Sequence, residues 1–146
     1  DDMVKAGVIV SLGTDGATSN NNLDMLEEIR LASFLQKLSS LNPTAMPAKT
    51  ALQLATAGGA AAIGQSSSLG CVAPGFKADL AIYDTTAPHW CPQHDLVSLL
   101  TYAANSADVR YTLVDGRVLY RNGEFTTIDI EKVKAEAGTR GQRLVR

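Results

Sequence analysis

The chain has 146 residues, of which 45% are hydrophobic and 19% are charged, a composition typical of a globular protein. With 13 basic and 15 acidic residues its net charge is -2, which argues against the broad positive surface that nucleic acid or an anionic membrane would require. Cys71 and Cys91 are the only cysteines and no stretch is long and apolar enough to span a bilayer, so we predict a cytoplasmic protein without a disulfide framework.

The first predicted element is a strand over residues 7–13. This apolar run is rich in β-branched residues, as are strands buried on both faces of a parallel sheet. Thr14, Asp15 and Gly16 follow directly, so we expect them at the carboxyl end of the strand, where parallel α/β folds carry their chemistry. A buried strand so close to Asp1 predicts that the sequence starts inside a larger fold, although a trimmed chain would begin in the same way.

Two helices are predicted next. Apolar residues recur at spacings of three or four over residues 22–41, and the preceding run Ser19–Asn22 offers several N-cap candidates. A second helix is predicted over residues 47–64, with a proline at its first position. Gly58 and Gly59 inside it each cost about 1 kcal/mol relative to alanine, so the pair predicts close packing against another backbone.

From residue 65 onward the sequence is predicted to be mostly β, with a domain boundary at the polar break after residue 64. Residues 78–84 are predicted to form a strand, Asp95 to cap a short helix, and a polar helix to run from Asp129 toward Ala137.

Two hairpins are predicted between residues 109 and 125. Asp115-Gly116 and Asn122-Gly123 are dipeptides that suit two-residue type I′ turns. These turns predict the cross-strand pairs Leu113 with Val118, Tyr111 with Tyr120, Phe125 with Tyr120, and Glu124 with Arg121.

Several segments together resemble a known family. Residues 8–16 read VIVSLGTDG and residues 19–25 read SNNNLDM, and further along the chain come ATAGGAAAIG at 55–64, GFKADLAIYD at 75–84 and VDGRV at 114–118. In this order the segments resemble the amidohydrolase superfamily, and within it the 5′-methylthioadenosine/S-adenosylhomocysteine deaminases, with chlorohydrolases and guanine deaminases as neighbouring branches. The first two segments are the most specific.

The resemblance implies a fold that is α/β followed by β. Members are distorted (β/α)8 barrels with a small β-sandwich made from both chain ends. Residues 1–64 would be the last barrel strand and its helices, and residues 65–146 the C-terminal part of the sandwich with a terminal helix. Because a full barrel needs about 250 residues, the remainder of the barrel would lie outside this sequence.

The same resemblance implies roles for Asp15. It matches the aspartate that ends the last barrel strand, where it ligates a divalent metal, expected to be zinc, and relays a proton in catalysis. From spacing alone, Asp15 also suits a turn or a helix cap. The only histidines, His89 and His94, lie in the sandwich portion, so the remaining ligands are missing and the isolated chain is expected to be inactive.

Two weaker site predictions remain. Asn20 follows the predicted strand end and is a candidate substrate contact, although helix capping explains it equally well. The spacing of His89, Cys91 and His94 suits a second metal site, but a loop entering the helix capped by Asp95 is the favoured interpretation.

As an activity, the resemblance implies hydrolytic deamination of an adenosine-type nucleoside by the full-length protein. Guanine deamination or chlorohydrolysis is one alternative. Another is a non-catalytic module that self-associates, because the backbone groups of an isolated barrel strand favour pairing with another chain, as in a homodimer.

Overall fold

A computed structural model describes residues 1–145, which form two compact units. The first unit comprises residues 1–77 and 84–108, and the second comprises residues 78–83 and the chain from Val109 onward. The helices of the first unit are α1 (Asp2–Lys5), α2 (Met25–Ser40), α3 (Ala48–Ala55), α4 (Ala57–Ala62) and α5 (Leu96–Tyr102), with short 3-10 turns at Pro88–Trp90 and Ser106–Asp108. The second unit holds β1 (Leu80–Tyr83), β2 (Val109–Val114), β3 (Arg117–Arg121), β4 (Glu124–Phe125) and α6 (Ile130–Leu144).

The predicted strand over residues 7–13 does not pair with another strand within residues 1–145. Its tie to the rest of the unit includes one backbone bond, from the Leu12 N–H to the Leu54 carbonyl at 3.3 Å. The strand prediction is therefore wrong for this chain by itself. The physical reason is that a strand forms only when its backbone groups pair with those of a neighbouring strand. The β-branched residues indicate a preference for such pairing but do not supply the neighbouring strand.

Helix α2 begins later than predicted. Its N-cap is Asp24, whose carboxylate accepts hydrogen bonds from the N–H groups of Leu26 and Glu27. It ends at Ser40, and its C-cap Leu41 adopts a left-handed backbone with φ of 50°. The apolar face is only partly covered, with Leu26 and Ile29 buried and a second set of apolar side chains exposed: Leu31, Phe34, Leu35 and Leu38.

The predicted second helix is split in two. Thr56, with φ of -119° and ψ of -90°, separates α3 from α4, and Pro47 is the N-cap of α3 rather than its first residue. At Gly58 a Cβ would lie 2.6 Å from the carbonyl oxygen of Val10, so the predicted close backbone approach is confirmed there. At Gly59 a Cβ would meet nothing within 4 Å, so the prediction is wrong for that residue.

Helix α5, capped by Asp95 as predicted, packs against α2 and α3. The Tyr102 hydroxyl lies 2.9 Å from that of Ser33, and the Tyr102 ring stacks on Phe34 with centroids 5.5 Å apart. These contacts hold residues 84–108 in the first unit. The contacts thus divide the chain differently from the predicted boundary after residue 64, and the expectation that the remainder is mostly β is wrong for this stretch.

The second unit contains a four-stranded antiparallel sheet in the order β1-β2-β3-β4. Both predicted turns have positive φ at their two central residues, 49° and 77° in the first and 47° and 94° in the second, as type I′ requires. Leu113 pairs with Val118, as predicted. The two predicted pairs in the second hairpin, Phe125 with Tyr120 and Glu124 with Arg121, are also present.

One predicted pair is wrong. Tyr111 lies opposite Arg121, because a register shift between Thr112 and Leu113 places Thr112, and not Tyr111, opposite Tyr120. Such a register shift arises where one strand has an extra residue, and it moves every later cross-strand pair by one position.

Helix α6 begins at its cap Asp129, as predicted, and continues to Leu144, beyond the predicted end near Ala137. No residue of α6 is buried. Within residues 1–145, no helix combines the length and apolarity that crossing a bilayer demands.

Candidate functional site

Asp15 lies in the loop between the extended segment of residues 8–13 and α2. Its backbone is left-handed, with φ of 57°, and its side chain is exposed. Aspartate tolerates this conformation better than most residues with a Cβ, but an outlier of this kind must be held by its surroundings. The loop therefore contains a residue whose backbone is constrained and whose carboxylate is open to solvent.

Both carboxylate oxygens of Asp15 accept hydrogen bonds from within the same loop. The Ser19 hydroxyl donates to Oδ2 at 2.8 Å, and the Gly16 N–H donates to Oδ1 at 2.7 Å. The bond from Ser19 and then that from Gly16 lower the pKa of Asp15 below its ordinary value, outweighing the opposing effect of desolvation. Asp15 is thus an anion at neutral pH, the form that ligates a metal or accepts a proton.

The backbone of this loop is closed by the Gly16 carbonyl. It accepts hydrogen bonds from the N–H groups of Ser19 and Asn20, at 3.1 and 2.9 Å. The closed turn brings the Ser19 hydroxyl back to the Asp15 side chain. From the sequence Ser19 is only a cap candidate; the signal for its bond to Asp15 is a hydroxyl placed four residues after an aspartate in a turn.

Asn20 and Asn22 connect this loop to the first turn of α2. The Asn20 amide donates to Oε1 of Glu28 at 2.8 Å, and the Asn22 amide donates to Glu27. The Asn20 carbonyl oxygen accepts only a long bond, 3.4 Å, from the Asn22 N–H. Asn20 and Asn22 therefore do not cap α2; they hold the loop against it, because Asp24 occupies the cap position.

The donor set around Asp15 suits one ligand of a metal site. Each carboxylate oxygen keeps a second lone pair after accepting its hydrogen bond, so ligation is compatible with the loop geometry. Catalytic zinc needs three protein ligands, and the part of the chain that the structure describes holds no group of three or more His, Cys, Asp or Glu side chains that could bind a metal. Asp15 fits a metal only together with ligands from outside these residues.

The second metal hypothesis, based on His89, Cys91 and His94, is not supported. The His89 ring pairs instead with the buried carboxylate of Asp108, with Nε2 at 2.8 Å from Oδ2, while Cys91 and His94 are exposed. These three residues are not among the described residues that could group around a metal.

The Asp108 cluster was not predicted. Oδ2 of Asp108 also accepts bonds from the Trp90 indole N–H at 3.2 Å and the Asn105 N–H at 2.9 Å. Burial raises the pKa of Asp108, but the bonds from Asn105, His89 and Trp90 outweigh it and leave the pKa below its ordinary value. Trp90 is fully buried here and acts as a packing residue, and the donors come together only on folding.

Comparison with known proteins adds a sequence relationship. The sequence pattern of the Amidohydrolase family matches residues 1–119. A 5-methylthioadenosine/S-adenosylhomocysteine deaminase of Pelotomaculum thermopropionicum is 51% identical over 144 residues, which cover 99% of this chain and 33% of that protein. A 5′-deoxyadenosine deaminase of Methanosarcina mazei is 47% identical over 143 residues, covering 98% of this chain and 33% of that protein. The chain thus spans about a third of the length of these relatives.

Solved structures of amidohydrolases are also similar to this chain. An adenosine deaminase from Xanthomonas campestris with bound zinc superposes with a TM-score of 0.93 at 35% identity, over 97% of this chain and 32% of that one. An atrazine chlorohydrolase from Arthrobacter aurescens in complex with zinc superposes with a TM-score of 0.82 at 28% identity, over 93% of this chain and 30% of that one.

Proposed function

The chain belongs to the Amidohydrolase family, and from this premise we propose that it is the C-terminal part of a zinc-dependent deaminase of adenosine-type nucleosides. A nucleoside substrate is supported by the relatives at 51% and 47% identity, which are both named as deaminases of adenosine derivatives. Zinc is supported by two zinc-containing structural neighbours. The observation that carries the proposal is the Asp15 carboxylate, which is exposed and has both oxygens held by hydrogen bonds from its own loop.

Within this proposal the first residues are the last strand of a (β/α)8 barrel. Residues 8–13 would pair with a neighbouring barrel strand and so supply the ladder that the isolated segment lacks. The exposed apolar side chains of α2 would be covered by the rest of the barrel, since soluble proteins rarely leave such a row uncovered. The antiparallel sheet of β1 to β4 would be the C-terminal contribution to a β-sandwich.

In the proposed reaction, water replaces the amino group of the purine and ammonia leaves. When bound, zinc would supply Lewis-acid chemistry that lowers the pKa of a water molecule far below its value in bulk water, toward about 7. Asp15 would hold the metal through a carboxylate oxygen and accept the proton that the attacking water gives up. It would then pass that proton to the departing nitrogen. An ionised, hydrogen-bonded carboxylate suits both tasks.

Asn20 is proposed to contact the substrate. Its amide is engaged by Glu28, so the contact would use the carbonyl oxygen, whose bond to the Asn22 N–H is long at 3.4 Å. An acceptor at this place would face a hydroxyl or amino group of a nucleoside.

Two other functions are retained. Guanine deamination or chlorohydrolysis would use the same metal chemistry, and the chlorohydrolase neighbour at 28% identity supports the second. A non-catalytic module would instead pair two copies through residues 8–13, which have no strand partner within residues 1–145 and could offer an edge to a second chain. The deaminase is favoured because the named deaminases are far more similar in sequence.

The test is ammonia release by the full-length protein. Zinc-loaded protein should deaminate methylthioadenosine or S-adenosylhomocysteine, and should leave guanine and chlorotriazines unchanged. Asp15→Asn should abolish this activity and weaken zinc binding, whereas Glu131→Gln, at an exposed surface pair with Lys134, should change neither. Residues 1–146 expressed alone should be inactive with added zinc.

Two outcomes would contradict the proposal. If Asp15→Asn keeps full activity, the proposal is wrong. If the isolated chain is an inactive dimer and the full-length protein is inactive too, the non-catalytic module is favoured.

A further inference from the structure

Ser19 holds one oxygen of the Asp15 carboxylate, and this bond exists because the loop is closed. The Ser19 hydroxyl has a single proton and two acceptors within reach, Oδ2 of Asp15 at 2.8 Å and the Gly16 carbonyl at 3.1 Å. The shorter bond goes to the charged acceptor, and hydrogen bonds to ionised groups are the stronger kind. The proton is therefore directed mainly at Asp15.

The two bonds to Asp15 together fix the orientation of its carboxylate plane. The torsion that turns a carboxylate about its last bond is broad, so an unrestrained aspartate samples many orientations. Here the Gly16 N–H holds Oδ1 and the Ser19 hydroxyl holds Oδ2, at 2.7 and 2.8 Å. With both oxygens held, the remaining lone pairs point in set directions.

We propose that Ser19 is a positioning residue for the metal-dependent reaction: its hydroxyl orients the Asp15 carboxylate for ligation and proton transfer. This inference rests on the proposed function of Asp15. Ser19 itself touches neither metal nor substrate. Groups that orient a metal ligand in this way typically change metal affinity or activity by about 10- to 100-fold when removed.

The hydroxyl can be removed without opening the loop. The backbone bonds from Ser19 and Asn20 to the Gly16 carbonyl do not involve the Ser19 side chain, so they remain in Ser19→Ala. Ser19 is exposed, which leaves room for the extra methyl group of Ser19→Thr. Thr18→Ala is the matched control, because it removes a neighbouring hydroxyl and leaves both Asp15 hydrogen bonds in place.

The experiment uses the full-length protein, its variants Ser19→Ala, Ser19→Thr, Thr18→Ala and Asp15→Asn, and two measurements. The first is the affinity of metal-free protein for zinc alone, determined by competition with a chelator. The second is kcat and KM for methylthioadenosine. Ser19→Ala should lose about 10- to 100-fold in zinc affinity and in kcat with little change in KM, while Ser19→Thr and Thr18→Ala stay close to wild type.

The outcomes separate this inference from the proposed function. If Ser19→Ala matches Thr18→Ala in both measurements, while Asp15→Asn loses zinc and activity, the role of Ser19 is wrong and the proposed function stands. A rise in KM alone would overturn the inference as well, since it would make Ser19 a substrate contact. If Asp15→Asn keeps both zinc affinity and activity, both proposals fail.

Discussion

His89 and Asp108 form a partly buried pair, with Nε2 of the ring 2.8 Å from Oδ2 of a carboxylate whose residue is 7% exposed. The ionised carboxylate can only accept, so the ring nitrogen donates. The same oxygen also accepts the indole N–H of Trp90, which connects the pair to the core.

Replacing Asp108 tests what this pair contributes to stability. Asp108→Asn keeps the shape but turns the acceptor for three donors into a neutral amide, and we expect it to lower the free energy of unfolding by about 1–3 kcal/mol at pH 7. Urea denaturation of the two proteins measures the difference. Glu131→Gln, an exposed carboxylate outside the cluster, should have an effect within about 0.5 kcal/mol.

The effect of Asp108→Asn should depend on pH. Because the folded-state pKa of Asp108 lies below its ordinary value, the ionised form stabilises the protein fully above that ordinary value, about 3.9, and its contribution fades as pH falls through the folded pKa. The difference between wild type and Asp108→Asn should therefore shrink below about pH 4. A difference that is equal at pH 7 and pH 3 would contradict this account.

Gly58 and Gly59 should respond oppositely to the same substitution. In Gly58→Ala the new methyl would meet the Val10 carbonyl at 2.6 Å and the Gln53 carbonyl at 3.2 Å, so we expect destabilisation by about 1–3 kcal/mol. In Gly59→Ala the methyl meets nothing within 4 Å, and the better helix propensity should stabilise by about 0.5–1 kcal/mol. Thermal melts of both variants are the measurement, and an equal sign of the two shifts would refute the assignment.

The cap of α2 should be Asp24 and not one of the preceding asparagines. Asp24→Ala removes the acceptor for the Leu26 and Glu27 N–H groups and should cost about 0.5–2 kcal/mol, with most of the loss recovered in Asp24→Ser. Asn22→Ala should cost clearly less. If denaturation curves show that Asn22→Ala costs more than Asp24→Ala, the cap of α2 is Asn22, one of the candidates predicted from the sequence.

Variants of Asn20 and Glu28 distinguish two roles for Asn20, a contact with the substrate and a support for the loop. If the Asn20 carbonyl contacts the nucleoside, Asn20→Ala should raise KM by a factor that corresponds to the loss of one hydrogen bond, about 0.5–1.5 kcal/mol of binding free energy. Glu28→Ala should leave KM nearly unchanged. Steady-state kinetics of the full-length protein with both single variants and the double variant measures this. Equal effects that do not add in the double variant would mean that Asn20 acts only by bracing the loop.

Much of the local structure could be predicted because it depends on residues close together in the chain. Asp95 and Asp129 cap their helices as expected, since each carboxylate meets N–H groups two or three positions later. The two hairpin turns follow from the Asp-Gly and Asn-Gly dipeptides for the same reason. Asp15 could be singled out by its place after an apolar run and by the family resemblance.

What could not be predicted depends on residues far apart. The register shift after Thr112, the contact of Gly58 with Val10 and the pairing of His89 with Asp108 each need a neighbour that the sequence places many positions away. Periodicity shows that a residue prefers burial or a partner, but it does not identify the partner.

The amino-acid sequence by itself determined the two hairpin turns, the caps at Asp95 and Asp129, Asp15 as the candidate site carboxylate and the family resemblance, because short-range bonding and composition are local properties of the sequence. The tertiary structure alone decided that Ser19 holds Asp15, that Glu28 holds Asn20 and that Asp108 is buried beneath three donors. Those relationships depend on backbone closure and packing, and a hydrogen bond forms only where folding brings its donor within about 3 Å of its acceptor.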